Sequence, residues 1–451
     1  MGMNRILDIG MSGLFSASSA MQTASHNIAN VNTAGFSRQS VMIGTRSPLQ
    51  LTYGMLGGGA DVLGVRRLTD MFLVSRMRDQ GSVLAQNEQV DFALGEVETL
   101  MGLATGNHIG TAIDEFFASW SELASPPVTA ELRTDVLNKG VMLASSLNAT
   151  SAGLDELARQ MDTQIENTVT MLNMMLDGVA ELNQQILLAE GPGDTANDLR
   201  DRRDQLLAEI SVLAKVDVAE RGDGTIDVIL SGRTVVVCGE AQHLELSRDR
   251  DGLTQLSTGN RRFPFELGAG QLAGLLEGRD DKIIGSRDQL DAVAKELIDR
   301  LNALHVQGQT PGGSGLMFFS GTTAGTIAVN AELVARPEMV AVSRTGLSGD
   351  TDIAREIAGL GQQDPIDGDR TISAIFGEML TGIAADAAGT RLQVESQRQV
   401  VDALTSRLES VRGVSLDEEA ANLARYQNAY LASAKVVAAA QDMFDTVLQM
   451  I

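Results

Sequence analysis

Ser415-Leu-Asp-Glu-Glu-Ala-Ala-Asn-Leu-Ala-Arg-Tyr-Gln-Asn-Ala-Tyr-Leu-Ala-Ser-Ala-Lys-Val-Val-Ala-Ala-Ala-Gln-Asp-Met-Phe-Asp-Thr-Val-Leu-Gln-Met-Ile451 decides the fold of this chain. Ser415 and Glu418 have the spacing of a capping box, and Asp417, Glu418 and Glu419 place acids at the positive end of a helix dipole. Beyond them residues recur at alternating steps of four and three: Leu416, Ala420, Leu423, Gln427, Tyr430, Ala434, Val437, Gln441, Phe444, Leu448 and Ile451. Only Gln427 and Gln441 break the apolar series, and no proline or glycine follows Gly413. The pattern predicts one unbroken amphipathic helix with a coiled-coil seam. Such a seam needs a partner helix. Either the helix docks on its own chain, or the seam is held for assembly.

The opposite end reads the same way. Leu7, Gly10, Leu14, Ala17, Met21, Ala24 and Ile28 alternate steps of three and four over residues 4–30. Gly10, Ala17 and Ala24 share a phase and would allow close helix approach. The other face is rich in serine and threonine (Ser12, Ser16, Ser18, Ser19, Thr23). A helix with that face would be weak alone and firm only when packed. Asn27, Asn30, Asn32 and Gly35 then stop it, because both residue types tolerate left-handed backbone.

The remaining 350 or so residues are mostly helical material by the same reading. Short strands are expected at 41–43 and 62–65, with Gly57-Gly58-Gly59 in the turn between them. Helices follow at about 70–101, 113–123, 129–189 and 194–213. The third carries a seam at Met161, Ile165, Val169, Leu172, Leu176, Val179, Asn183 and Ile186. From Val216 the period changes to two. Asp223-Gly224 and Ser231-Gly232 separate strand runs, and further runs end at Phe263–Phe265. Helix returns from Gln271 to about Gln307 and again up to Gly413. The expected architecture is mainly α: terminal coiled-coil helices, a long antiparallel helical bundle and a small inserted β domain. The division is 1–66 with 414–451, 67–215 with 269–413, and 216–268.

Composition narrows the function classes. The chain has 451 residues, room for roughly two or three domains. Its formal net charge is −24, a poor match for nucleic acid or an anionic membrane surface. Aromatic residues make up only 4%, which suits helices packed through Leu, Val, Met and Ala rather than base-stacking surfaces. No apolar run reaches the length of a membrane span, and Asp8 and Ser12 interrupt any secretory signal core. The single cysteine, Cys238, ends an apolar run and reads as a strand-core thiol.

Two fragments of enzyme motifs fail on context. Gly268-Ala-Gly270-Gln-Leu-Ala273 matches a permissive dinucleotide fingerprint, but the helix it opens leads into no second parallel strand. Ala219, Arg221 and Leu230 stand where a calcium loop would need oxygen ligands. His26, His108, His243 and His305 have no metal-ligand spacing. The reading is therefore no enzyme, no cofactor and no metal.

The two ends together resemble the bacterial flagellar rod, hook and hook-associated axial proteins. Ser25-His-Asn27-Ile-Ala-Asn30-Val-Asn32-Thr33-Ala-Gly35-Phe36 is similar to their N-terminal signature, and Leu416 to Val436 to their C-terminal one. Gly35-Phe36-Ser37-Arg38-Gln39, Asn197 to Leu206 and Leu275-Leu-Glu-Gly-Arg279-Asp280 resemble the hook-associated branch. Phe36 replaces the usual Tyr, and Ala34 a frequent Pro.

The resemblance implies a structural, hook-associated adaptor that joins hook to filament and self-assembles into a helical tube. It implies hook protein and the next hook-associated junction protein as neighbours, and a cytoplasmic export chaperone on the C-terminal helix. It implies type III export without a cleaved signal peptide and an extracellular place in the flagellum. The assembly residues it marks are Leu7, Leu14, Met21, Asn27, Ile28, Asn30, Thr33, Gly35, Phe36, Arg38, Leu416, Leu423, Tyr430, Val437, Phe444, Leu448 and Ile451. Another hook or rod component, or a cytosolic scaffold whose ends pair within one monomer, are the competing readings.

Overall fold

The computed structural model describes residues 2–51, 54–103, 108–191, 195–248, 252–258, 267–347, 349–362 and 370–449. Helix α1 (Gly2–Ala29) leads into a long hairpin of β1 (Gln39–Thr45) and β4 (Ala60–Arg67), with β2 (Leu49–Leu51) and β3 (Gly54–Leu56) at its tip. A bulge at Leu63 of β4, opposite the step from Met42 to Ile43, twists the hairpin. The helical body follows: α2 (Met71–Leu100), α3 (His108–Leu123), α4 (Ala130–Ala189) and α5 (Asn197–Leu213). Asp70 caps α2 by accepting from the amides of Phe72 and Leu73, and Thr129 caps α4 through Leu132 N.

A β meander comes next, with order β5 (Val216–Glu220), β6 (Ile226–Leu230), β7 (Arg233–Val237) and β8 (Glu240–Ala241). Strands β9 (Leu244–Arg248) and β10 (Thr254–Thr258) form a separate hairpin. The predicted strand at Phe263–Phe265 lies outside the described residues. Helix α6 (Gln271–Glu277) passes through a π-helical stretch, Gly278–Ile284, into α7 (Gly285–His305). Two short hairpins, β11–β12 (Gln309–Thr310, Gly313–Ser314) and β13–β14 (Phe319–Ser320, Ala328–Val329), precede α8 (Ala331–Ala335), α9 (Asp352–Gln362), α10 (Ile372–Arg412) and α11 (Leu416–Gln449). Among the described residues no helix is long and apolar enough to cross a membrane.

The spine of the body is α4, a single helix of 60 residues. Its predicted seam, from Met161 through Ile165, Val169, Leu172, Leu176 and Val179 to Ile186, is fully buried. Around its N-terminal half Phe116, Phe117, Trp120, Phe318 and Phe319 form an aromatic core. His305 is buried against it. The ring donates from Nδ1 to Leu316 O (2.5 Å) and accepts at Nε2 from Ala341 N (3.0 Å), so one neutral tautomer satisfies both partners. Burial lowers its pKa to about 4, against the weaker pull of the Leu316 carbonyl.

The unfolded chain binds a proton at this ring below about pH 6.5, while the folded chain stays neutral to about pH 4. Stability is therefore intact above pH 6.5 and is lost as pH falls toward 4, by about 3 kcal/mol from this residue. Urea unfolding between pH 7.5 and 4.5 should show a steeper loss in the wild type than in His305→Gln.

Buried polar groups fasten the β unit to α4. Asn183 accepts from Ile226 N and donates to Ile226 O and Cys238 O, while Arg203 bonds Asn183 Oδ1 and Gly224 O. Arg279, in the π-helical stretch, donates to Asp162 (2.5 Å) and Thr254 O (2.9 Å). Asp162 also accepts from Thr254 N and Oγ1. Cys238 is not a strand-core thiol. It follows β7 in a turn, with φ of 54°, partly exposed and 3.1 Å from Arg221 Nη1. At the Gly268–Ala273 corner, Gly270 has φ of 106° and donates to Ser82 O. A Cβ there would stand 2.6 Å from Ala214 Cα, so protein backbone fills the space a phosphate would need.

Candidate assembly interface

Helices α1 and α11 lie side by side and antiparallel: Gly10 faces Val437, Gly13 faces Ser433, and Asn27 faces Glu419. A Cβ on Gly10 would sit 2.8 Å from Cγ2 of Val437, which is the close approach that the small-residue phase predicts. Ala17, Ala20 and Ala24 are buried along the same helix, and Leu7, Leu14, Met21 and Ile28 are half-buried beside them.

The contact line on α11 shares Leu423, Ala434 and Val437 with the predicted seam and is rotated off the rest of it. Glu419 and Ala440 are buried, and Asn422, Leu423, Tyr426, Ser433, Ala434 and Val437 are half-buried. Leu416, Tyr430, Phe444 and Leu448 stay exposed, and Ile451 lies outside the described residues. Polar Glu419, Asn422 and Ser433 belong to the contact, so hydrophobic periodicity alone misplaces it. The serine face of α1 is also covered. Ser12 and Ser16 are buried, and Ser12 Oγ accepts from Ala60 N of the hairpin.

Where α1 ends, a polar joint ties the terminal elements to the body. Asn27 Oδ1 accepts from Gln39 N (2.9 Å), and its Nδ2 donates to Gln39 O (2.9 Å) and Glu419 Oε2 (3.2 Å). Arg38 bridges to Glu419 (2.6 Å) and Glu418 (2.8 Å), and its amide donates to Arg412 O. Burial works against the Arg38 charge, but Glu419 and Glu418 outweigh it and hold its pKa above the usual guanidinium value. The Glu418 carboxylate is thus spent on Arg38, and only its amide, 3.5 Å from Ser415 Oγ, keeps half of the predicted capping box.

The joint reaches α5 through carboxylates. Ser37 N donates to Asp201, Arg67 Nη1 bonds Asp201 and Asp204 (both 2.7 Å), and Gln39 Nε2 bonds Asp198 (2.8 Å). Burial pushes the Asp201 carboxyl up against the pull of Arg67. For Arg67, Asp204 and Asp201 overcome burial and raise it. Asn30 donates to His26 O, Thr33 donates to Asn30, and the Phe36 ring stands edge-on to His26 at 5.4 Å. Gly35 turns with φ of 78° against Gln205. So Asn27, Asn30, Thr33, Gly35, Phe36 and Arg38 form one node. Gln39, Arg67, Asp198, Asp201 and Glu419 complete it through contacts that periodicity does not point to. The Asp and Arg pattern in residues 198–204 was visible, but its target was not.

The family model described as "Flagellar hook-associated protein FlgK helical domain" matches residues 94–319, half of the chain. "Flagella basal body rod protein" matches 7–36, and "Flagellar basal body rod FlgEFG protein C-terminal" matches 410–450. Flagellar hook-associated protein 1 of Salmonella typhimurium is 24% identical over 556 positions, covering 99% of this chain and 100% of the relative. That of Bacillus subtilis is 26% identical, covering 98% and 97%. A solved structure, the flagellar hook junction protein FlgK from Burkholderia pseudomallei, shares the fold with a TM-score of 0.64 at 15% identity, over 75% of this chain and 100% of that one. With its helical body and both of its terminal segments matched in order, the chain belongs to the flagellar hook-associated protein FlgK family.

Proposed function

We propose that the chain is a structural adaptor at the junction of hook and filament, built into the flagellar axial tube through α1, α11 and the joint that holds them. One observation carries this reading. The α1–α11 pair buries one face of each helix and leaves apolar residues on both sides of the contact: Ile6, Ile9, Met11 and Phe15 on α1, and Leu431, Val436, Met443, Phe444, Val447 and Leu448 on α11. Exposed apolar strips of this extent mark interaction surfaces. A self-contained scaffold would also pair its ends within one copy, but it would have no use for these strips.

Charge is distributed to match. Residues 1–69 carry five Arg and two Asp, and residues 414–451 carry two basic and five acidic residues, so the terminal unit is neutral. The whole −24 falls on the body. Copies can therefore crowd their ends together while their outer bodies repel and stay soluble. Hook protein on one side and the next junction protein on the other are the axial neighbours in this reading. A cytoplasmic chaperone on α11 would mask the apolar strip before type III export.

Leu431 is 58% exposed, so Leu431→Asp should leave the thermal melt of the purified chain unchanged. In cells it should remove the chain from isolated flagella and abolish motility. Normal incorporation of this variant would refute the assembly reading.

A further inference from the structure

Arg78 of α2 is a buried cation without a partner. It is 6% exposed, its Nε finds no acceptor, and it makes no ion pair among the described residues. Burial lowers its pKa below the usual guanidinium value, against the pull of four carboxylates: Asp204 of α5 first, then Asp79, Asp217 and Glu220. The last three hold no other cation among the described residues, and still Arg78 bonds none of them. Asp204 is different, because another arginine already holds it. Arg67 Nη1 bridges Asp204 and Asp201 at 2.7 Å each and draws the two carboxylates together.

The two arginines belong to different parts of the chain. Arg67 lies at the end of β4, in the terminal unit of α1, α11 and the β1–β4 hairpin, whereas Arg78 lies in the body with Asp204. That unit is seated on α5 by polar bonds. Ser37 N donates to Asp201, Gln39 bonds Asp198, and Thr195 and Asn197 donate to Val65 O. Among the described residues, none before Leu73 or after Leu408 belongs to the buried apolar clusters of the body. A seat made of hydrogen bonds and ion pairs is the kind of joint at which parts of a chain move.

We infer that Asp204 has two alternative arginines, Arg67 when the terminal unit is seated on α5 and Arg78 when it lifts away, so that the joint is a two-state hinge. The seated state leaves the Arg78 guanidinium buried and unpaired. Lifting takes Arg67 from Asp204, frees that carboxylate to turn, and gives Arg78 its missing partner. Each state therefore compensates a charge that the other leaves alone, and neither is prohibitive. Arg203 also feels Asp204, but its Nη1 is already held by Asn183 Oδ1 and Gly224 O, which leaves Arg78 as the free cation. A contact that favours one setting of the terminal unit shifts the balance by its differential affinity alone.

The test is amide hydrogen exchange at Ser37 in the purified full chain, because Ser37 N bonds Asp201 only while the unit is seated. Arg78→Met takes a charged hydrogen bond from the lifted state, so Ser37 exchange should slow by roughly tenfold or more. In an Asp204→Asn background the same replacement should change it by less than about twofold, since the shared partner is gone. No slowing overturns the inference. Equal slowing in both backgrounds also overturns it, because simple repulsion between Arg78 and Arg67 would then explain the effect. Exchange in α4 separates a change in the body from one at the joint. If Arg78→Met does not fold, the crystal structure of Arg67→Met decides: an ion pair between Arg78 and Asp204 supports the hinge, and an Arg78 still without a partner overturns it.

Discussion

Replacing Glu419 by alanine should release α11 from α1 while the helical body keeps its melting temperature. Glu419 is 2% exposed, yet it carries a charge and serves two partners at once, Arg38 and Asn27. Those partners link α1, the start of β1 and the end of α10. Truncation leaves the Arg38 guanidinium, only 20% exposed at its side chain, without its closest counter-ion. It also leaves an Asn27 donor unpaired. Breaking a buried pair from one side typically costs about 3–5 kcal/mol, and the partial exposure of Arg38 argues for the lower end. Three kilocalories correspond to more than a hundredfold in the opening equilibrium. Amide hydrogen exchange should therefore accelerate by roughly that factor in α1 and α11 and stay unchanged in α4. Unchanged exchange in α11 would mean that apolar packing alone docks it, and the joint would lose its assigned role. The conservative Glu419→Gln keeps the Asn27 bond but not the ion pair, so its effect should fall between the two.

The same residue shows what the sequence could and could not reveal. Helix boundaries were readable because periodicity, caps and glycines agree locally, and α1, α4, α11 and the end of α10 lie close to where the pattern puts them. The phase of the α1–α11 contact was readable on α1 and only in part on α11. In α11 alanine recurs on every face, so the apolar stripe is broader than one seam, and polar Glu419 and Asn422 choose the line that meets α1. A periodicity argument scores those two as solvent. The π-helical stretch at Gly278–Ile284 was equally hidden, and so were the bonds that Arg279 makes from it to Asp162 and Thr254. The joint was half legible. The signature residues Asn27 to Arg38 stood out, but a list of positions cannot say that Asp201, over 160 residues away, receives the amide of Ser37.

Gly10→Leu should abolish docking of the two terminal helices and remove the chain from flagella. Even a single Cβ at Gly10 would lie 2.8 Å from Val437 Cγ2 and 3.4 Å from Val437 N, so a leucine cannot fit without separating the helix axes. Intrinsic propensity acts in the opposite direction. Leucine favours helix over glycine by almost 1 kcal/mol, and α1 taken alone becomes a better helix. Loss of docking with retained or increased helix content would therefore assign the defect to the interface rather than to folding of α1. The smaller Gly10→Ala should weaken the pair by about 1–3 kcal/mol, the usual range for overpacking. Because the clash is with one branched side chain, Gly10→Ala combined with Val437→Ala should recover docking that Gly10→Ala alone loses. Recovery is read as restored hydrogen-exchange protection in α11 and as incorporation into flagella. If the double variant docks no better than Gly10→Ala, the close approach of the two helices does not depend on this contact. Buried Ala17, Ala20, Ala24 and Ala440, with the Asn27–Glu419 bond, would then have to hold the terminal pair together.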